Sequence, residues 1–338
     1  MSLTSSLAKT ILVIFLTSLI FLLLFSFTSP PAVSTADLEI LLTENFPDFD
    51  IKKSNETIVY ILIPGCSDRY LNLLETRSSS PCNHISGGSV CQREDGSDWL
   101  VSGRTLGRPA GSLPSFSSLQ EGRGAHKKFY YAVSLCNPVE RYLAEYRDVR
   151  QGSKSYWRNC WNRRVAERYP CGTPNSLDSF LQCPNNPAAN RVSRLLAYGS
   201  CTFTRVPEDP TIRRYLLDSA MLTLENMTFV GLDEFARASE GLLFYSLNLP
   251  GPDQHEFIGN EGLSGRFNLT QQQLKEIVRL NELDVQLYYH ALRVMSARAE
   301  YLGVEEGLFA EVEFPTSLPG PWDSALEYFL KQGLYLPK

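Results

Sequence analysis

The chain has 338 residues, of which 43% are hydrophobic and 20% charged; that is enough apolar surface for one large domain or two small ones, and it excludes a disordered protein. A net charge of −5 argues against a general nucleic-acid binder and says little about small substrates. Thr10 to Phe27 is an almost unbroken apolar run without charge, preceded by Lys9 and followed by Ser29-Pro30-Pro31. Its length suits a bilayer better than a signal-peptide core, so residues 10–27 are expected to be a transmembrane signal anchor. The basic residue beside the span lies on its N-terminal side. That puts a cytosolic tail at 1–9 and the rest of the chain in the lumen, as a single-pass membrane protein of type II topology. A cleaved signal peptide is the alternative, given the small residues between Ala32 and Ala36. Residues 28–54, rich in Pro, Ser and acids, read as a stem.

The folded part is expected from residue 55. Thr57 to Ile63 is a β-rich run of the kind that forms a buried strand, ending at the turn Pro64-Gly65, and Tyr70 to Leu74 then reads as helix. Residues 76–127 are rich in Ser, Gly and Arg and contain no convincing long element. Phe129 to Leu135 is a second buried-strand run. Asn137-Pro138 follows it with an N-cap residue and a proline at the first helical position, and Tyr142, Leu143, Tyr146 and Val149 continue at helical spacing. A strand, a tight turn and a helix N-terminus together make a common anion site, because unpaired N–H groups and the helix dipole converge there.

Residues 141–168 carry eight Arg and Lys against three acids, a basic excess inside an acidic protein. A solvated helix face and a polyanion-binding surface explain it equally well. Trp157 and Trp161 interleave with it and suit either sugar contact or core packing. Short helices are expected at Leu177 to Leu181, Asn190 to Ala197 and Pro210 to Leu224, then a strand at Thr228 to Leu232 and a helix from Asp233. Thr270 and Gln273 make a capping box before an apolar stripe that runs to Met295. Strands alternating with helices argue for an α/β fold whose parallel sheet is flanked by helices. The proline-containing segment 303–338 reads as a C-terminal tail.

The eight cysteines form an even set in a chain expected to face an oxidising lumen, so disulfides are expected. No CxxC and no HExxH occurs and the four histidines are scattered, so no metal site is expected. Asn55, Asn226 and Asn268 stand in glycosylation sequons.

Five stretches, in order, resemble the heparan-sulfate 6-O-sulfotransferase family: FYYAVSLCNPVERYLAEYRDVRQG, SLDSFLQCPNNPAANRVSRLLA, ENMTFVGLDEF, RFNLTQ and RLNELDVQLYYHA. The resemblance covers residues 55–302, and the cysteines at 82, 91, 160, 171, 183 and 201 fall where the family's do. It implies a P-loop-like sulfotransferase fold in a luminal domain of a Golgi membrane protein. It also implies transfer of sulfate from 3′-phosphoadenosine 5′-phosphosulfate (PAPS) to the 6-hydroxyl of glucosamine in heparan sulfate. Where the family has the phosphosulfate-loop lysine this chain has Gly65, and Asp68 stands in the same loop with Arg69 as the nearest cation. The 3′-phosphate arginine is replaced by Cys136 and its serine partner by Ala144. The base histidine's position reads Leu113, and His126 is the nearest substitute. A charge-assisted hydrogen bond to phosphate is worth ~1.5–3 kcal/mol, so losing these ligands together weakens cofactor binding by orders of magnitude, and losing the base costs a further ~10²–10⁴ in rate.

Arg141, Asn190, Arg191 and Arg194 match the family's binding positions and, with Arg158, Arg163 and Arg164, are the candidate polyanion or substrate-side residues. Because the two phosphate turns would face one nucleotide, the resemblance further implies that Cys66 and Cys136 can join as a disulfide across the emptied pocket; two small buried residues filling space is the plainer account. Two functions follow from the residues. One is a divergent sulfotransferase; the other is a non-catalytic relative that binds sulfated glycan or a partner sulfotransferase.

Overall fold

The computed structural model describes residues 53, 55–76, 82–85, 88–103, 128–151, 174–184, 186, 188–198, 208–249 and 269–302. The described strands form one mixed sheet of six, β1 (Glu56–Ile61), β2 (Asn83–Ile85), β3 (Gly88–Gln92), β4 (Asp98–Gly103), β5 (Lys128–Leu135) and β6 (Phe229–Leu232), in the order β2-β3-β4-β1-β5-β6. Strands β4, β1, β5 and β6 are parallel to one another, while β2, β3 and β4 pair antiparallel. The segment 76–127, expected to lack long elements, thus supplies three strands. Their pattern is broken by turn residues: Gly96 at φ +80° closes the β3–β4 hairpin within five residues of Cys91, and the ladder slips at Cys91/Gln92.

Strands β1 and β5 read as continuous apolar runs because they are covered on both faces, and Ile58 to Ile63 and Tyr130 to Leu135 are all buried. The helices are α1 (Arg69–Thr76), α2 (Pro138–Arg150), α3 (Leu177–Leu181), α4 (Arg191–Tyr198), α5 (Pro210–Glu225), α6 (Ala236–Ser246), α7 (Gln271–Leu280) and α8 (Glu282–Tyr301), with a 3-10 turn at Asp233–Phe235. Asn137 caps α2 as its sequence foretold, its side-chain oxygen accepting from the Val139 N–H at 2.9 Å. Thr270 and Gln273 close the expected capping box on α7. The apolar stripe that starts there is carried by two helices, because Asn281 at φ −112°, ψ 27° ends α7 and begins α8.

No helix among the described residues is long and apolar enough to cross a membrane; the expected anchor at 10–27 lies outside them.

Candidate functional site at the strand ends

Parallel strands β1, β5 and β6 deliver three turns to one edge of the sheet: Pro64 to Asp68, Cys136-Asn137 and Asp233–Phe235. The C-terminal edge of a parallel sheet, with a helix starting from each turn, is where open α/β folds place ligands. The three turns are locked together here. Cys66 and Cys136 form a disulfide, Cα to Cα 5.4 Å, between the first turn and the second. A second disulfide joins Cys82 and Cys91, and Cys183 is disulfide-bonded too.

Gly65 sits at φ +88°, a conformation open to glycine at no steric cost, and its backbone lies against α2. A Cβ at this position would stand 2.7 Å from the Arg141 carbonyl oxygen and 3.4 Å from the Ala144 Cβ. The first turn therefore occupies the space beside α2 that a longer side chain at 65 or 144 would need. A lysine at 65 would have to lift the turn off the helix.

Several N–H groups of these turns are spent within the protein. Cys66 N–H donates to the Ile63 carbonyl at 3.1 Å, Ser67 N–H to Asp233 Oδ2 at 2.8 Å, and Arg69 N–H to Ser67 Oγ at 3.1 Å. Across the cleft Asn137 N–H donates to Glu234 Oε1 at 2.6 Å, and Tyr288 Oη donates to Glu234 Oε2 at 2.9 Å. PAPS carries its anionic groups to such turn donors, and the residues present do not fit it. A phosphate brought to these turns would meet the disulfide, the packed Gly65 backbone and the carboxyl groups of Asp233 and Glu234. The sulfurs of Cys66 and Cys136 and a carboxylate oxygen of Asp233 lie within 4.8 Å of one another, but sulfurs joined in a disulfide are not thiolate ligands for a metal.

Burial pushes the Asp233 carboxyl up to about 8, and the neighbouring charges of Glu234 and Asp68 push the same way against the Ser67 N–H and Arg69. The Tyr60 and Tyr70 side chains face it from β1 and α1. Burial also raises Glu234, opposed by the Asn137 N–H and the Tyr288 hydroxyl. Above its ordinary value of 3.8 the unfolded chain releases a proton from Asp233 that the folded chain retains, so stability contributed by this group falls as pH rises to about 8 and is then level. Urea midpoints measured across that range should decline less with pH in an Asp233→Asn variant than in the wild type; parallel profiles would contradict the assignment.

The sequence-selected basic residues divide. Arg141 is fully buried, donating to Glu145 Oε2 at 2.9 Å, the Ala188 carbonyl at 2.7 Å and Asn281 Oδ1 at 2.6 Å, with Asp284 at 3.6 Å. Arg191 pairs with the other oxygen of Glu145 at 2.6 Å. Arg194 donates to the carbonyls of Asn190 and Ala189, and burial lowers its pKa to about 10. Asn190, at φ 46°, accepts the Leu283 and Asp284 N–H groups, while Asp284 accepts those of Val192 and Ser193. These four residues thus knit α2, α4 and the α7–α8 break from inside, and none offers an exposed face for a polyanion. Arg158, Arg163, Arg164, Leu113, His126 and Asn268 lie outside the described residues; Asn55 and Asn226 are exposed. Sequence reasoning did not select Asp233 and Glu234. The signal available was two consecutive acids directly after an apolar strand in a parallel sheet.

No family model matches the chain. It is similar to heparan-sulfate 6-O-sulfotransferase 1 of Cricetulus griseus, 30% identical over 293 residues covering 75% of this chain and 70% of the relative. Heparan-sulfate 6-O-sulfotransferase 1-B of Danio rerio is 30% identical over 290 residues, covering 75% and 69%. Heparan-sulfate 6-O-sulfotransferase 3-B of the same organism is 28% identical over 292 residues, covering 77% and 68%.

Proposed function

Because the chain belongs to the heparan-sulfate 6-O-sulfotransferase family, we propose that it is a non-catalytic member that binds a heparan-sulfate type glycosaminoglycan without transferring sulfate from PAPS. The observation that carries this reading is the Cys66–Cys136 disulfide, which ties together the two turns a phosphosulfate donor would have to enter. Gly65, Cys136 and Ala144 leave no cation at the positions the family uses for the donor, and Gly65 packed on α2 leaves no room to restore one.

In this reading the domain at 55–302 keeps the P-loop-like sulfotransferase fold as a scaffold. It is held in the Golgi lumen by the 10–27 anchor, with the 28–54 stem between them. The glycan-facing role passes to Arg158, Arg163 and Arg164, since Arg141, Arg191 and Arg194 are engaged inside.

Calorimetry of the full chain with 3′-phosphoadenosine 5′-phosphate should give no heat at millimolar ligand. Micromolar binding would return the chain to the enzymes that transfer sulfate to the 6-hydroxyl of glucosamine. On a heparin column the Arg158→Ala/Arg163→Ala/Arg164→Ala variant should elute at lower salt than the wild type; an unchanged elution would remove the glycan-binding half of the proposal.

A further inference from the structure

We propose that Asp233 and Glu234 act as the built-in ligand of the strand-end cleft: two consecutive carboxyl groups take, in cis, the turn N–H donors that an incoming phosphate or sulfate group would need, making the cleft a latent anion site closed by its own chain. The inference rests on the non-catalytic reading and says how the donors of the lost site are kept satisfied. Its ground is geometric. Ser67 N–H and Asn137 N–H belong to turns that follow different strands, β1 and β5, and both are met by adjacent residues at the end of a third, β6.

Acidic residues near helix starts are ordinary when they cap their own helix. These do not. Asp233 lies 166 residues along the chain from the donor it meets and Glu234 lies 97 from its own, so each is carried to its partner by the tertiary fold. Glu234 is further fixed from the side of α8 by the Tyr288 hydroxyl, which leaves each of its oxygens with a donor, as a bound oxyanion's would be. Placing carboxyl groups where desolvation disfavours their charge is costly, and the bonds from the Ser67 and Asn137 N–H groups offset part of that cost. Asp68 and Arg69 stand at the same turn with opposite charges, so no net positive charge there favours an arriving dianion.

The test is calorimetry of the full chain with inorganic pyrophosphate and with 3′-phosphoadenosine 5′-phosphate as probes. The variants are the Asp233→Ala/Glu234→Ala pair, which empties both donors, and the Asp233→Asn/Glu234→Gln pair, which keeps an acceptor oxygen on each. The Ala pair is expected to bind either probe about tenfold or more tightly than wild type, with the Asn/Gln pair close to wild type. An Ala pair that unfolds cooperatively, retains its disulfide and gains nothing overturns the inference while leaving the non-catalytic reading in place. Equal gain by the Asn/Gln pair also overturns it, because repulsion and not occupancy would then close the cleft. Micromolar nucleotide binding by the wild type removes both. Should the Ala pair fail to fold, Asp233→Ala alone, with the Glu234 bonds retained, is expected to gain affinity for pyrophosphate several-fold, and no gain overturns the inference.

Discussion

Arg141→Met is expected to lower the free energy of unfolding by about 3–5 kcal/mol, the range seen when one partner of a buried ion pair is removed. Arg141 has no exposed surface, and its guanidinium meets Glu145, Asp284, Asn281 and the Ala188 carbonyl together. Methionine fills much of the volume but leaves the two carboxylates desolvated with less compensation, although Arg191 still faces Glu145. Urea denaturation reads the loss directly. A change below about 1 kcal/mol would mean that the pairing does not hold the helices together. The variant that remains folded should keep its wild-type retention on heparin, since a buried guanidinium cannot touch glycan; a large loss of retention would place Arg141 at the surface.

Replacing Cys66 and Cys136 together by alanine should destabilise the chain by about 4 kcal/mol, because their disulfide closes a long loop, with a sequence separation of 70 residues, and restricts the unfolded state accordingly. The loss should appear in the denaturant midpoint of the double variant and, under reducing conditions, shrink the gap between variant and wild type. A wild-type midpoint for the oxidised double variant would mean that the bond adds nothing to stability. Non-reduced peptide mapping should recover Cys66 linked to Cys136, and free thiols at both positions would remove the basis of the closed cleft.

Much of this fold was legible in the residues. The β1 and β5 runs, the Asn137-Pro138 start of α2 and the capping box at Thr270 and Gln273 all act through neighbours within a few positions, so spacing alone finds them. The strands between residues 83 and 103 were not legible. They are short, separated by turn residues, and stabilised by pairing with one another and, through β4, with β1 rather than by a pattern of their own.

The candidate site divides along the same line. Gly65, Cys136 and Ala144 read as lost phosphate ligands through the family resemblance, whereas the basic residues Arg141, Arg191 and Arg194 looked available. Charge in a sequence carries no sign of burial. Glu145 and Asp284, which neutralise these arginines, are distributed over two helices that only folding brings together.

By itself the sequence determined most of the local elements and carried the family resemblance, because these are written in residue type and short spacing. The tertiary structure alone decided that the arginines are internal ties, that the two turns are stapled through Cys66 and Cys136, and that Asp233 and Glu234 sit on the turn N–H groups. Those are contacts between residues far apart in the chain, and their energies depend on burial and direction, which no linear pattern encodes.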